Sequence, residues 1–350
     1  MATLTGSHDI IYGPDSLVGA DAGNGGNNAL DFSGSNTDHM LVSSGDGDTV
    51  LGGGGGDSIQ ASGDGVHIDA GEGDNQVALS GAGNSTVSAG DGNDTFGGSG
   101  VESSALYLGG GQNSVFLELS HDVTIDGSQG ELEVILTGGG NQVVGGSGDD
   151  SVAIGGSGNL LFGGGGNDTV QVAGDNNFVG GGGNVTVGGD GNVAGGGSGG
   201  DNLVSTGDSA INGGAGDDFL LTIGGTATGG AGNDSIYGVD AKLIGGKGND
   251  DLYAVSGDNT LQGGKGSDDF FFNQSSANSL VTDFAVGQDT LNFYAGNYGA
   301  VSLTAGNPQG VLDHAVETAS GDVEITLGSV TVTLTGLTLA DLHAATIIVH

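Results

Sequence analysis

The sequence predicts an all-β chain: a parallel β-solenoid of glycine-rich nonapeptide repeats, closed by a β-rich C-terminal segment. Three observations carry that prediction. Glycine supplies 81 of 350 residues and proline only 2, a glycine excess of several-fold over ordinary chains. The Gly-X-Y period of collagen is absent. Hydrophobic residues make up 35% of the chain, scattered singly, which suits many short strands better than a solvated coil. Finally, one phrase, Gly-Gly-x-Gly-x-Asp-x-apolar, recurs in register along the chain.

The phrase is complete at 52–59 (GGGGGDSI), 145–152, 163–170, 196–203, 213–220, 229–236, 245–252 and 263–270, and 89–96 (AGDGNDTF) differs only at its first glycine. From 196 onward the starts lie 17, 16, 16 and 18 residues apart, with weaker phrases such as 205–211 and 255–261 between them. The unit is therefore about nine residues and two units make one coil. Six residues of each unit form a loop in which glycine permits positive φ and close backbone approach. A short strand follows, with one apolar side chain turned inward. Coils stack at ~4.8 Å as parallel strands. Ladders such as Ile59, Val77 and Phe96, or Leu203, Leu220, Ile236 and Leu252, bury together what no single coil can bury. Phe270 is expected to fill the last rung, with Phe271 and Phe272 beginning an apolar cap.

Taken in order, residues 1–43 read as degenerate turns or a cap, with weak repeat phrases from near Gly6. Residues 44–272 are the roll. Within it, 105–139 is the most apolar stretch and is expected to form longer strands. After Phe272 glycine thins and strand-like runs appear at 278–284, 289–296, 300–306, 322–328 and 329–337. Residues 338–345 read as a short helix with Thr338 as its cap and Asp341 in its first turn, before a last short strand.

Charge narrows the function. Acids number 43 and bases 3, a formal net of −40, and the only cations are Lys242, Lys247 and Lys265. Nucleic acid and anionic membranes are poor partners for such a chain. A polyanion also repels itself, so a divalent cation is expected to complete the fold. Cysteine is absent, which removes disulfides and thiolate metal sites. No apolar run approaches ~18 residues, so no transmembrane helix is expected. The first residues lack the basic and apolar regions of a secretory signal.

The phrases resemble those of the RTX (repeat-in-toxin) family over roughly residues 44–272. The resemblance implies a right-handed parallel β-roll, in which two sheets enclose the apolar ladder and the loops hold Ca2+. The residue types suit that ion, which takes six to eight oxygens at ~2.3–2.6 Å: glycine loops turn carbonyls inward and the sixth-place aspartate adds a carboxylate. Glycine and aspartate also make ordinary turns, but eight complete copies in register favour calcium. The metal-binding residues are then Asp57, Asp94, Asp150, Asp168, Asp201, Asp218, Asp234, Asp250 and Asp268. With them go the loop glycines Gly196, Gly197, Gly199, Gly213, Gly214, Gly216, Gly229, Gly230, Gly232, Gly245, Gly246, Gly248, Gly263, Gly264 and Gly266.

The spacing places every strong phrase on one edge of the roll. The opposite edge carries phrases such as 61–68, 80–87, 137–144 and 173–179, which mostly lack the sixth-place aspartate. Calcium is therefore expected along one edge only. Even there Asn75, Asn113, Leu132 and Val185 stand at the sixth place. The firmest sites are expected between Asp201 and Asp268, with others around Asp150 and Asp168. The C-terminal segment resembles the secretion domain of RTX proteins exported by type I machinery. The aromatic run after the last repeat, residues 281–293, residues 330–342 and the apolar tail carry that likeness. It implies an extracellular protein secreted without an N-terminal signal peptide, and a solenoid end-cap is a compatible role.

No catalytic motif survives scrutiny. His-Glu-x-x-His is absent. Gly196 to Gly200 matches Gly-x-Ser-x-Gly in letters only, without the strand–elbow–helix context. His8, His39, His67 and His121 are dispersed and are expected in loops or at the surface. In Asp149–Asp150 and Asp217–Asp218 the second acid is expected to coordinate while the first faces solvent. The expected function is non-enzymatic: a calcium-folded structural protein that self-assembles into a surface layer, sheath, filament or biofilm matrix. A calcium-dependent adhesin or glycan-binding module is the alternative, and an enzyme with an unrecognised site is the third reading.

Overall fold

The structure is a computed structural model that describes residues 2–3, 10–13, 19–127 and 129–350. The weak phrase near Gly6 and the side chain of His8 lie outside the described residues. Contacts divide the chain into two compact units, residues 1–181 and 182–350. Each is built on a parallel β-solenoid.

In the first unit, strands pair in parallel with the strand two before and the strand two after. Thr95–Ser99 lies between Gln76–Ser80 and Gln112–Glu118, with Phe96 opposite both Val77 and Val115. In the second sheet Thr86–Ser88 lies between His67–Gly71 and Ala105–Tyr107, with Val87 opposite Ile68 and Leu106. Alternate strands thus build two parallel sheets, which is the β-roll. Period-2 alternation turns Phe96 and Val87 fully inward, and a slip of one residue would expose the whole ladder. Each buried rung of this size contributes about 1.5–3 kcal/mol. The apolar stretch does form longer strands, Gln112–Glu118 and Glu131–Thr137, each of seven residues.

The second unit repeats the plan. Leu203, Leu220, Ile236 and Leu252 stand opposite one another in consecutive coils and are fully buried. The ladder does not end at Phe270, as the repeat count suggests. Phe270 pairs with Leu291, and Leu291 with Ile347. Two strands that carry no glycine phrase, Thr290–Phe293 and Thr346–Val349, extend the sheet, because parallel pairing needs an extended apolar segment and not the loop motif. Phe272 is buried, whereas Phe271 faces outward and stacks on Tyr253.

The other sheet continues through Ser276–Val281 and Val330–Leu334, which pair in parallel. Val330–Leu334 then pairs antiparallel with Val323–Leu327, which in turn pairs with Ala315–Glu317. This meander covers an edge that would otherwise template further strands. Helix Leu339–Ala344 begins at Thr338, whose side chain accepts from the Asp341 N–H while Asp341 accepts in return, a capping box. The short helix Gln309–Leu312 and the hairpin of Gly296–Tyr298 with Val301–Leu303 have no signature in the repeat pattern. All three lysines lie in strands, Lys242–Lys247 and Asp251–Lys265, with Lys247 opposite Lys265.

Candidate metal centre

A row of positions runs along one edge of each unit, two residues before the buried ladder residue of each coil in one sheet. In the second unit the row is Gly183, Asp201, Asp218, Asp234, Asp250, Asp268 and Asp289. Each carboxylate Oδ1 accepts the N–H of the row residue one coil earlier. Asp201 accepts from Gly183 at 2.5 Å, Asp218 from Asp201 at 2.8 Å and Asp234 from Asp218 at 2.9 Å. Asp250 accepts from Asp234 at 2.9 Å, Asp268 from Asp250 at 3.0 Å and Asp289 from Asp268 at 3.0 Å. In the first unit the same bond links His39 to Asp57, Asp57 to Asn75, Asn75 to Asp94 and Asp94 to Asn113, then Leu132 to Asp150 and Asp150 to Asp168.

The glycines of each loop have two different jobs. In 213–218, Gly214 and Gly216 hold φ of 109° and 130°, a region that L side chains avoid. Gly213 is needed for space: a Cβ there would stand 2.2 Å from Asp218 Oδ2. Gly196, Gly229, Gly245 and Gly263 meet Asp201, Asp234, Asp250 and Asp268 in the same way, at 2.2–2.5 Å.

The second carboxylate oxygen defines the site. No donor reaches Oδ2 of Asp57, Asp94, Asp168, Asp201, Asp218, Asp234 or Asp250, and each of these residues is at most 3% exposed. Buried polar atoms are ordinarily paired, and an unpaired charge is costlier still. Burial pushes the Asp250 carboxyl up to about 7, with the Asp234 and Asp268 carboxylates adding to it. Burial likewise lifts Asp218 and Asp268 to about 6 and raises Asp57, Asp94, Asp168, Asp201 and Asp234. Asp150 differs, because the Gly146 N–H donates to its Oδ2 at 2.6 Å.

The opposite edge solves the same backbone problem with neutral groups. Asn141 Oδ1 accepts from Val123, and Asn159 Oδ1 from Asn141. Ser85 and Ser104 hydroxyls do the same for Val66 and Ser85. In the second unit Asn259 Oδ1 accepts from Ala241, while its Nδ2 donates to the carbonyls of Ser256 and Gly257. An amide therefore caps the neighbouring coil with oxygen and ties its own loop with N–H. Asn75 and Asn113 behave this way on the acidic edge: Asn75 Nδ2 donates to Gly71 and Gly73, and Asn113 Nδ2 to Gly109.

Several expectations change in detail. Leu132 does stand at the sixth place, opposite Asn113. Val185 does not: it pairs with Leu203 in the apolar ladder, and Gly183 holds the row position, because burial of Val185 and Val187 sets the register. His39 is buried, at 3% exposure, and heads the row in its unit. Its Nε2 lies 2.7 Å from Ser35 Oγ and its ring packs on Phe32. His67 and His121 are exposed. Asp149 and Asp217 do face solvent, yet they cap the following coil through the N–H groups of Asn167 and Asn233. Ser198 sits exposed at the end of strand Val193–Ser198, and the next element is the strand Asn202–Thr206, so no nucleophile elbow exists there.

Three acids escaped the sequence reading. Asp48 takes, on the opposite edge, the position that Ser85 and Asn141 hold in later coils, and its Oδ2 is satisfied by Ser43 Oγ and the Gly45 N–H. Asp289 ends the second unit's row with Oδ2 bound by the Ala285 N–H. Asp283 caps the Gly263 and Gly264 N–H groups. None sits in a glycine-pair phrase, so motif counting passes over them. The remaining signal was an acid followed by an apolar alternation, as in Asp289-Thr290-Leu291.

Among the described residues no three His, Cys, Asp or Glu side chains converge on one point. Any ion in the row would take single carboxylate oxygens together with loop carbonyls. That all-oxygen set fits a hard cation such as Ca2+, and fits zinc or copper poorly.

No family model matches the chain, and no curated protein matches it. Among solved structures, the extracellular lipase LipA of Serratia marcescens aligns with 68% of this chain and 45% of its own, at 17% identity and a TM-score of 0.25. The chain thus matches less than half the length of that lipase. No helix among the described residues is long and apolar enough to cross a membrane.

Proposed function

We propose that the protein is a non-catalytic calcium-binding module whose roll is completed by ions along one edge. The supporting observation is the set of buried Oδ2 atoms without donors, set against the Asn loops whose amides leave no such deficit. The sites are the loops of Asp57, Asp94, Asp168, Asp201, Asp218, Asp234, Asp250 and Asp268. Asp150 is a weaker member, since its Oδ2 already holds an N–H. A cation bound only by the folded chain stabilises the fold by mass action, and it offsets a net charge of −40.

The wider setting is an extracellular structural role, where calcium is abundant and repeat coils stack or pack laterally with other copies. Export by type I machinery through the C-terminal segment belongs to the same proposal. The test is a calcium titration of chelated protein at neutral pH, followed by far-UV circular dichroism with ions counted by native mass spectrometry. The β-structure signal is expected to grow and its melting temperature to rise over ~10⁻⁴–10⁻³ M calcium, and magnesium at equal concentration is expected to do neither. A spectrum unchanged by chelator, or ions located on both edges, defeats the reading. Sedimentation in calcium checks assembly separately: higher oligomers support the structural role and a lasting monomer removes it.

A further inference from the structure

On the acidic-row sheet of the second unit, the outer face carries side chains the fold itself does not require. One outward column reads Val204, Leu221, Tyr237, Tyr253 and Phe271 through consecutive coils. The equivalent column of the first unit reads Ala78, Gly97, Phe116, Ile135 and Ala153, with small residues at three of its five positions, so the roll does not require an aromatic at every coil. Tyr237 and Tyr253 stack with ring centroids 4.2 Å apart and parallel planes, and Phe271 continues the stack at 4.2 Å. The rings cover one another's faces and leave a ridge of ring edges and phenolic hydroxyls.

Two further features lie beside the ridge. The register shifts between Gly238, opposite Ala254, and Val239, opposite Ser256, so Val255 is an extra residue pushed out of the ladder. Such bulges re-aim side chains and recur next to binding sites. Against it opens a cavity of about 420 Å³ lined by Tyr237, Tyr253, Val255, Phe271, Asn273 and Tyr294. Its volume lies within the ~300–1,000 Å³ of small-ligand clefts, and its aromatic walls with few polar groups are of that type. On the same face Asp251 and Asp269 stand opposite each other on neighbouring strands.

We propose that this cleft binds a neutral saccharide chain, with sugar rings lying along the aromatic ridge and hydroxyls donating to the Asp251 and Asp269 carboxylates. The ligand must supply apolar C–H surface for the ridge and O–H donors for the two carboxylates beside the cleft, where the His350 imidazole packs on Phe271 and Tyr294 at the rim. Anionic glycans, nucleic acid and anionic lipid fail on charge. The proposal does not rest on the calcium reading.

The test uses the full chain in calcium, with cellohexaose, xylohexaose and chitohexaose as neutral probes and an alginate hexamer as the anionic one. Tryptophan is absent and tyrosines number six, three of them in the cleft wall, so tyrosine emission reports on this site. At least one neutral probe is expected to change that emission and to give saturable heat in calorimetry, while alginate does neither. Tyr253→Ala is expected to lower the association constant at least about tenfold, and Phe116→Ala in the first unit is expected to leave it unchanged. Tyr253→Phe keeps the stack should the alanine variant misfold, and is expected to weaken binding severalfold through the lost hydroxyl. Absence of binding by every neutral probe, binding of alginate instead, or parental affinity in both Tyr253 variants overturns the proposal. So does a dimer that Tyr253→Ala dissociates, which would give the face to a second copy.

Discussion

In chelator, the second unit is expected to melt at a lower temperature at about pH 7.5 than at about pH 4.5, and in millimolar calcium that order reverses. The ordinary carboxyl value is 3.8, and burial lifts Asp218 and Asp268 to about 6 and Asp250 to about 7. A group whose folded pKa is raised stabilises the fold below its unfolded pKa and loses that contribution as pH rises through the folded pKa. The loss therefore falls between about pH 4 and 7. For Asp218 alone the rise from 3.8 to about 6 is worth roughly 3 kcal/mol. Calcium bound as proposed would work in the opposite sense, since a metal takes the deprotonated oxygens and competes with the proton. Thermal melts by circular dichroism at the two pH values, with and without calcium, give the four numbers needed. Equal chelated melts at both pH values would mean that the row carboxylates are not strained by burial.

The second large effect is a three-way substitution at Asp234. Asp234→Asn keeps an oxygen for the Asp218 N–H and replaces the donorless Oδ2 with an amide, as nature has at Asn75. It is expected to lose one bound ion and to gain stability in chelator. Asp234→Ala leaves the Asp218 N–H buried without an acceptor, a penalty of about 1–3 kcal/mol, and it also loses the ion. The expected order in chelator is Asn above wild type above Ala; in calcium it is wild type above Asn above Ala. Asn75→Asp should act in reverse, adding an ion and making its coil depend on metal. Urea denaturation with native mass spectrometry measures both quantities, and identical behaviour of Asp234→Asn and Asp234→Ala would remove the ladder's role.

Much of this was readable from spacing. Asp201 to Asp268 recur at coil intervals, and a side chain two residues before a buried strand position faces inward, so the row and its one-sidedness follow from the repeat. Where the phrase and the strand disagree, the strand decides: counting from the glycine pair puts Val185 in the row, whereas burial of Val185 and Val187 places Gly183 there. The ladder beyond Phe270 was illegible because Leu291 and Ile347 arrive through irregular connections that share no motif. The buried state of His39 was missed for a related reason. An imidazole replaces the acid at the head of the row, and no spacing rule distinguishes that from a surface histidine. The use of Oδ1 for the preceding coil was also hidden, since it depends on which oxygen faces which amide.

The placement of the lysines has a practical consequence for how the protein meets proteases. With no arginine and three lysines, the chain offers trypsin-like enzymes three bonds in all. Each follows a residue held in one of the two strands of the second unit that flank the Asp250 loop, whose Oδ2 lacks a donor. Cleavage requires those strands to open first. Susceptibility to such enzymes is therefore governed by the same few coils that the metal would hold shut, and the first unit presents them with no target at all.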